Sequence, residues 1–195
     1  MNTTAKMILV LTLITILSGG ALSTWDVYTS PKIELHKLEA LKAAIAEVLP
    51  AYDTYQEVKT DGLTLYIAQN NDSENPAGIA FEAVGNGFQG KISMMVGVDS
   101  AFGRITGLIV LEQVETPGLG TKIVIDPTNK ENPGWFSEQF KNLPAGKVIE
   151  VVKNQKPSKE NQIQAITGAT ISSKSVVAII NSAMKNAKDI YSSQK

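Results

Sequence analysis

Hydrophobic and polar positions change rhythm several times along the chain, and each change marks an element. Residues 7–25, MILVLTLITILSGGALSTW, carry no charge, and as a helix they rise about 28 Å, close to one hydrocarbon core. Ser30-Pro31 is expected to end that helix. Residues 33–48 then place Ile33, Leu38, Leu41, Ile45 and Val48 at helical spacing, with Glu34, Lys37, Glu39, Lys42 and Glu47 largely off the stripe. This predicts an amphipathic helix stopped by Leu49-Pro50.

From Tyr55 to Val114 the pattern becomes short apolar runs at 63–68, 78–84, 92–98 and 105–114, separated by Asp61-Gly62, residues 70–76, residues 85–90 and residues 99–103. The reading is an antiparallel meander. Residues 148–152 predict a further strand, and residues 135–140 a short helix packing Trp135, Phe136 and Phe140 against the sheet. Residues 154–162 are polar, contain Pro157 and are expected to be exposed. A last helix over 172–190 carries Val176, Ile180, Ala183, Ala187 and Ile190 along one face, with Val177 and Met184 beside it. The fold class is α+β: a single N-terminal transmembrane helix, then one domain with an antiparallel sheet and flanking helices. The expected divisions are a cytoplasmic N-terminus at 1–6, an anchor at 7–25 and an exported domain at 26–195.

Charge and composition narrow the chemistry. The chain has 195 residues, with 18 Lys and Arg against 19 Asp and Glu, a net charge of −1. It lacks the basic excess that a phosphate backbone attracts, so nucleic acid is not an expected partner. The absence of cysteine excludes disulfides, cysteine-held metal or iron–sulfur clusters, thiol nucleophiles and thioether-linked cofactors. The one histidine, His36, sits between Leu35 and Lys37 on the amphipathic helix and is read as a surface residue. Lys6 and the α-amino group flank the apolar run on one side, Trp25 and Tyr28 on the other. That orients the N-terminus inside and the C-terminal domain on the extracytoplasmic, periplasmic side of the cytoplasmic membrane. The other reading of the run is a cleaved signal peptide, with small residues at Ala21-Leu22-Ser23 for a peptidase. Both export the bulk of the chain.

Two segments lack ordinary structural logic. Thr167-Gly168-Ala169-Thr170-Ile171-Ser172-Ser173 leads into the last helix, where unpaired N–H groups and a partial positive charge suit a phosphate. Gly168 and Ala169 remove bulk there, and Thr167, Thr170, Ser172 and Ser173 supply four hydroxyls, for which plain helix capping is by itself the simpler account. The other segment, Glu115-Thr116-Pro117-Gly118-Leu119-Gly120-Thr121-Lys122, follows a strand. Pro117-Gly118 favours a tight turn, and Gly120 admits positive φ or the close approach of a flat ligand. Glu115 and Lys122 frame the segment with opposite charges. Gly85-Asn86-Gly87-Phe88-Gln89-Gly90 spells GxGxxG but lies between two expected strands, so it reads as a hairpin turn rather than a dinucleotide site.

Around these segments stand Val48-Leu49-Pro50, Phe81-Glu82-Ala83, Val96-Gly97-Val98-Asp99 and Ile105-Thr106-Gly107. In this order, and almost end to end, the pieces resemble a family: the FMN-binding G subunits of Rnf electron-transport complexes, related to the C subunits of sodium-pumping NADH:quinone reductases. The resemblance implies that residues 26–195 form an FMN-binding domain. It implies that FMN is joined through its phosphate to the last threonine of the TGAT motif, here Thr170, by a separate flavin transferase. It further implies that the loop from Glu115 to Gly120 lies against the isoalloxazine, with Thr116, Gly118 and Leu119 nearest and Leu119 shielding a ring face. One residue departs from the pattern: the family commonly has an acidic residue six positions before the flavinylated threonine, and here Gln164 stands there.

The function so implied is electron carriage within a membrane complex that couples ferredoxin and NAD to ion movement, with the other membrane subunits of that complex as partners. The cofactor supplies the redox chemistry, so no stand-alone acid, base or nucleophile is expected. The alternatives are a membrane-anchored flavin-binding or assembly module without covalent FMN, and a free-standing extracellular flavoprotein.

Overall fold

A computed structural model of the chain describes residues 2–60, 62–73 and 75–193. Met1 of the expected N-terminal tail, Asp61 and Glu74 of the first two expected turns, and residues 194–195 of the expected domain lie outside these. The chain forms two compact units that meet between Ala40 and Leu41.

The first unit is the larger part of helix α1, Thr3–Val48. Its apolar stretch is long and uncharged enough to cross a membrane, and none of it is buried in protein. Thr15 and Thr24 donate their hydroxyls to the carbonyls of Leu11 and Gly20 at 2.9 and 2.8 Å, which satisfies both within the helix, as an apolar surrounding requires. The expected break at Ser30-Pro31 is not there: α1 runs through Pro31. A proline removes one helical bond, and the helix ends only where other contacts favour a different path. Residues 31–40 are all exposed. In the turn before the proline, the Thr29 and Ser30 hydroxyls also donate to the carbonyls of Trp25 and Asp26, at 2.9 and 2.8 Å. His36 lies on the exposed surface, 3.5 Å from Glu39.

The second unit is built on a five-stranded antiparallel meander in sequence order: β1 Thr54–Thr60, β2 Leu63–Gln69, β3 Gly78–Asn86, β4 Lys91–Val98 and β5 Ile105–Gln113. Residues along β2 to β4 are buried on both faces, which is why those runs read as continuously apolar. On one face Tyr66, Ala68, Ala80 and Met95 pack against Ala44, Ile45 and Val48 at the end of α1. Gly97 and Gly107 let that helix end come close: a Cβ on Gly107 would lie 2.9 Å from Val48 Cα, and Thr106 Oγ1 donates to the Val48 carbonyl at 2.5 Å. On the other face Leu65, Phe81, Met94 and Val96 meet Val176, Val177, Ile180 and Ala183 of the last helix, α3. The first strand, β1, was not legible as an apolar run because it is an edge strand whose side chains are mostly exposed.

After β5 the chain makes a 3-10 turn over Gly120–Ile123, the short helix α2, Trp135–Glu138, and strands β6, Glu150–Val152, and β7, Gln162–Gln164. Phe136 and Phe140 are buried edge to face at 5.7 Å, as the aromatic cluster predicts. The strand expected over 148–152 is shorter, since Val148 is exposed, and it joins β7 in a separate parallel pair rather than the main sheet. β7 includes Gln162, from the stretch expected to be exposed; its neighbour Ile163 is fully buried and draws the segment in. Helix α3 spans Thr170–Ser192, starting two residues before the expected 172.

Candidate functional site

The site begins at the start of α3. Gly168 has φ +85°, a left-handed conformation that turns the chain into the helix and that other residues rarely adopt. Ala169 occupies the N-cap position, and no side chain caps the helix. Helix capping therefore does not explain the hydroxyls. Ser173 Oγ instead accepts from Ile166 N and donates to Ala169 O, both at 3.0 Å, tying the turn together. Ser172 Oγ donates to Glu115 Oε2. The hydroxyls of Thr167 and Thr170 make no hydrogen bond with the described residues. Two of the four are thus used in holding the turn, and two remain open.

Glu115 is buried, at 4% exposure, and all of its acceptors serve the protein. Its Oε1 accepts from the backbone N–H of Phe88 and Gln89 at 2.8 and 3.0 Å, and its Oε2 from Ser172. The carboxylate thereby joins the β3–β4 hairpin, the loop after β5 and the start of α3. The GxGxxG stretch is that hairpin, closed by Gly87 N on Gly90 O at 2.7 Å. Gln89 Nε2 adds a bond to Thr116 Oγ1 at 3.0 Å. Gly118 has φ +74° in the tight turn that Pro117-Gly118 predicts. Gly120 is required for packing, since a Cβ there would lie 2.7 Å from Glu115 Cβ and 2.9 Å from Ser172 Oγ. Lys122 does not face the site; its ammonium meets Asp126 and the Thr128 hydroxyl, each at 3.2 Å.

Between these elements lies a cavity of about 500 Å³. Thr167, Gly168, Ala169, Thr170 and Ser172 form its wall at the helix start, and Thr116, Leu119 and Gly120 form the wall opposite in sequence. Of the other expected residues, Glu115 and Ser173 sit buried behind the wall, while Pro117 and Gly118 are on the exposed side of their turn. The sequence reading missed Phe88 on the hairpin, Ile166, Ile171, and the pair Lys153 and Asn154 that follows β6. No motif marks Lys153 and Asn154. Their one local signal is an asparagine suited to positive φ, and Asn154 indeed has φ +56°. Lys153 is the single charged side chain among the lining residues. Gln164 is not on the wall: its backbone is clamped by Gln139, whose Oε1 accepts from Gln164 N at 2.7 Å and whose Nε2 donates to Gln164 O at 3.2 Å.

The cavity falls in the size range of small-molecule and cofactor sites, roughly 300–1,000 Å³. Partly apolar walls, an uncapped helix start and an open threonine hydroxyl at that start suit a ligand that carries a phosphate at one end.

Comparison with known proteins gives the ligand class a name: residues 87–185, which include the hairpin, the loop and the helix start, match the FMN-binding domain family. The chain is 33% identical over 186 residues, covering 92% of each chain, to the G subunit of the ion-translocating oxidoreductase complex of Methanosarcina acetivorans. It is 29% identical over 192 residues to the G subunit of the Na(+)-translocating ferredoxin:NAD(+) oxidoreductase complex of Acetobacterium woodii, covering 90% of this chain and 87% of that one. The chain belongs to this G-subunit family of FMN-binding-domain proteins. Its fold is similar to that of NqrC from Shewanella oneidensis, with a TM-score of 0.51 at 20% identity over 72% of this chain and 71% of that one.

Proposed function

We propose that this chain is an electron-carrying subunit of a membrane-bound, ion-translocating ferredoxin:NAD oxidoreductase complex, working through FMN esterified to Thr170. The observation that carries the reading is the Thr170 hydroxyl, unpartnered at the uncapped start of α3 and opening into the cavity. Bound there, FMN supplies the electron-transfer chemistry, and the chain supplies position and environment.

The residues fit that group. The first N–H groups of α3 and its dipole favour a phosphate at Thr170. Gly168 keeps the approach to that hydroxyl free of a side chain, while Leu119, Ile166 and Phe88 give apolar contact for a ring system. Glu115 holds the loop and the helix start together, so the two walls keep a fixed spacing. Gln164, fixed in β7 by Gln139, takes no part in holding the nucleotide; its place in the motif concerns recognition by a flavin transferase. We place α1 as a single-pass anchor with the FMN-binding domain on the extracytoplasmic side. The other membrane subunits of the complex are then the electron donor and acceptor.

The test is coexpression with a flavin transferase, denaturing electrophoresis under ultraviolet light, and intact mass. The wild-type chain gives a fluorescent band and a mass that includes residues 7–25 and one FMN. Thr170→Ala gives a dark band. Equal fluorescence in both, or in neither, would contradict the assignment.

A further inference from the structure

The cavity carries one charge that the proposed attachment does not use. Lys153 follows Val152, the last residue of β6, whose carbonyl accepts from Ala165 N at 2.8 Å. The parallel pairing of Val152 with Gln164 fixes its backbone beside the strand leading to the TGAT turn. Asn154, at φ +56°, turns the chain immediately afterwards. The ammonium makes no ion pair or hydrogen bond with the described residues, and none of the residues lining the cavity is acidic. Lys153 is thus an exposed, unpaired cation on the lining of the cavity.

The uncapped start of α3 already offers a phosphate N–H donors and a partial positive charge. We propose that Lys153 is a positioning charge that raises the reduction potential of the flavin. This rests on the assignment of FMN to Thr170. When the isoalloxazine takes up two electrons and one proton it gains one negative charge. The electrons come from the other redox subunits in the complex, or from dithionite in a titration. A cation on the rim of a cavity of about 500 Å³, partly walled by apolar side chains, attracts that charge across a medium less polar than bulk water. Removing it disfavours the reduced form.

The experiment is an anaerobic dithionite titration, in equilibrium with a reference dye of known potential, of the full chain, flavinylated by coexpression and purified in detergent, comparing wild type, Lys153→Gln and Lys153→Arg. Lys153 is exposed, so equal melting temperatures are expected for all three. Lys153→Gln is expected to lower the reduced-to-oxidised ratio about tenfold at a given potential, about 30 mV for a two-electron couple. Lys153→Arg is expected to titrate with the wild type. A Lys153→Gln protein that carries flavin and titrates with the wild type overturns the proposal. So does a Lys153→Arg protein that shifts as far as Lys153→Gln, or a Lys153→Gln chain that stays dark while the other two fluoresce. A wild-type chain without covalent flavin instead overturns the attachment at Thr170 itself, a separate outcome read before any titration.

Discussion

Glu115 and Ser172 stand 57 residues apart in sequence, and the serine hydroxyl donates to the buried carboxylate. With its other oxygen Glu115 accepts from the N–H groups of Phe88 and Gln89. One side chain therefore sets the spacing of the three segments that surround the cavity.

Glu115→Ala would leave two partly buried backbone N–H groups and one buried hydroxyl without their acceptor. The expected loss is about 3 kcal/mol of stability, read by denaturant unfolding. Ser172→Ala removes one of the three bonds and is expected to cost about 1 kcal/mol. In the double variant the two losses should fall short of additive, since the same bond is counted in both.

The contact between the end of α1 and the sheet depends on glycine. Gly107→Ala would set a Cβ 2.9 Å from Val48 Cα, a backbone atom that cannot rotate away. The expected cost is roughly 1–3 kcal/mol. Gly146→Ala, where no atom lies within 4 Å of the added carbon, is the control and should unfold with the wild type.

Asp126 makes part of the stability pH-dependent. The Thr128 hydroxyl, donating at 2.5 Å, holds its carboxyl well below the usual carboxylate range, helped by Trp135 Nε1, Thr128 N and Lys122, while burial opposes the shift. A carboxyl whose folded pKa lies below its unfolded value stabilises the fold above the unfolded pKa, about 4. The stabilisation fades as pH falls toward the folded pKa. Asp126→Asn should be less stable than wild type at neutral pH, and the gap should narrow as pH drops below about 4. Denaturant midpoints across that range check the sign; a gap that widens in acid would contradict it.

What could be read from the sequence was whatever long-range packing leaves as a local pattern. The stripe of α3 and the apolar runs of β2 to β4 survive as local patterns because the helix is buried along one face and the strands on both. Glycine and small residues at 167–169 pointed to a close approach for the same reason. The exposed edge strand β1 has no such pattern, and the passage of α1 through Pro31 depends on the lack of competing contacts, which is not a local property. The place of Glu115 behind the wall and of Lys153 on it comes from tertiary pairing: the hairpin and α3 capture the first, and the β6–β7 pair presents the second. Glu115 and Lys122, which frame the loop with opposite charges in sequence, each turn to a protein partner for that reason.

The proposed electron carriage rests on Thr170 as the hydroxyl that holds the nucleotide. Thr167 is open as well, so Thr167→Ala is the variant that separates the two. Fragment mass spectrometry of the peptide spanning 165–174, from chains coexpressed with a flavin transferase, measures it directly. The prediction is FMN on Thr170 in the wild type and in Thr167→Ala, and an unmodified peptide in Thr170→Ala. FMN found on Thr167, or an unmodified wild-type peptide, would contradict it.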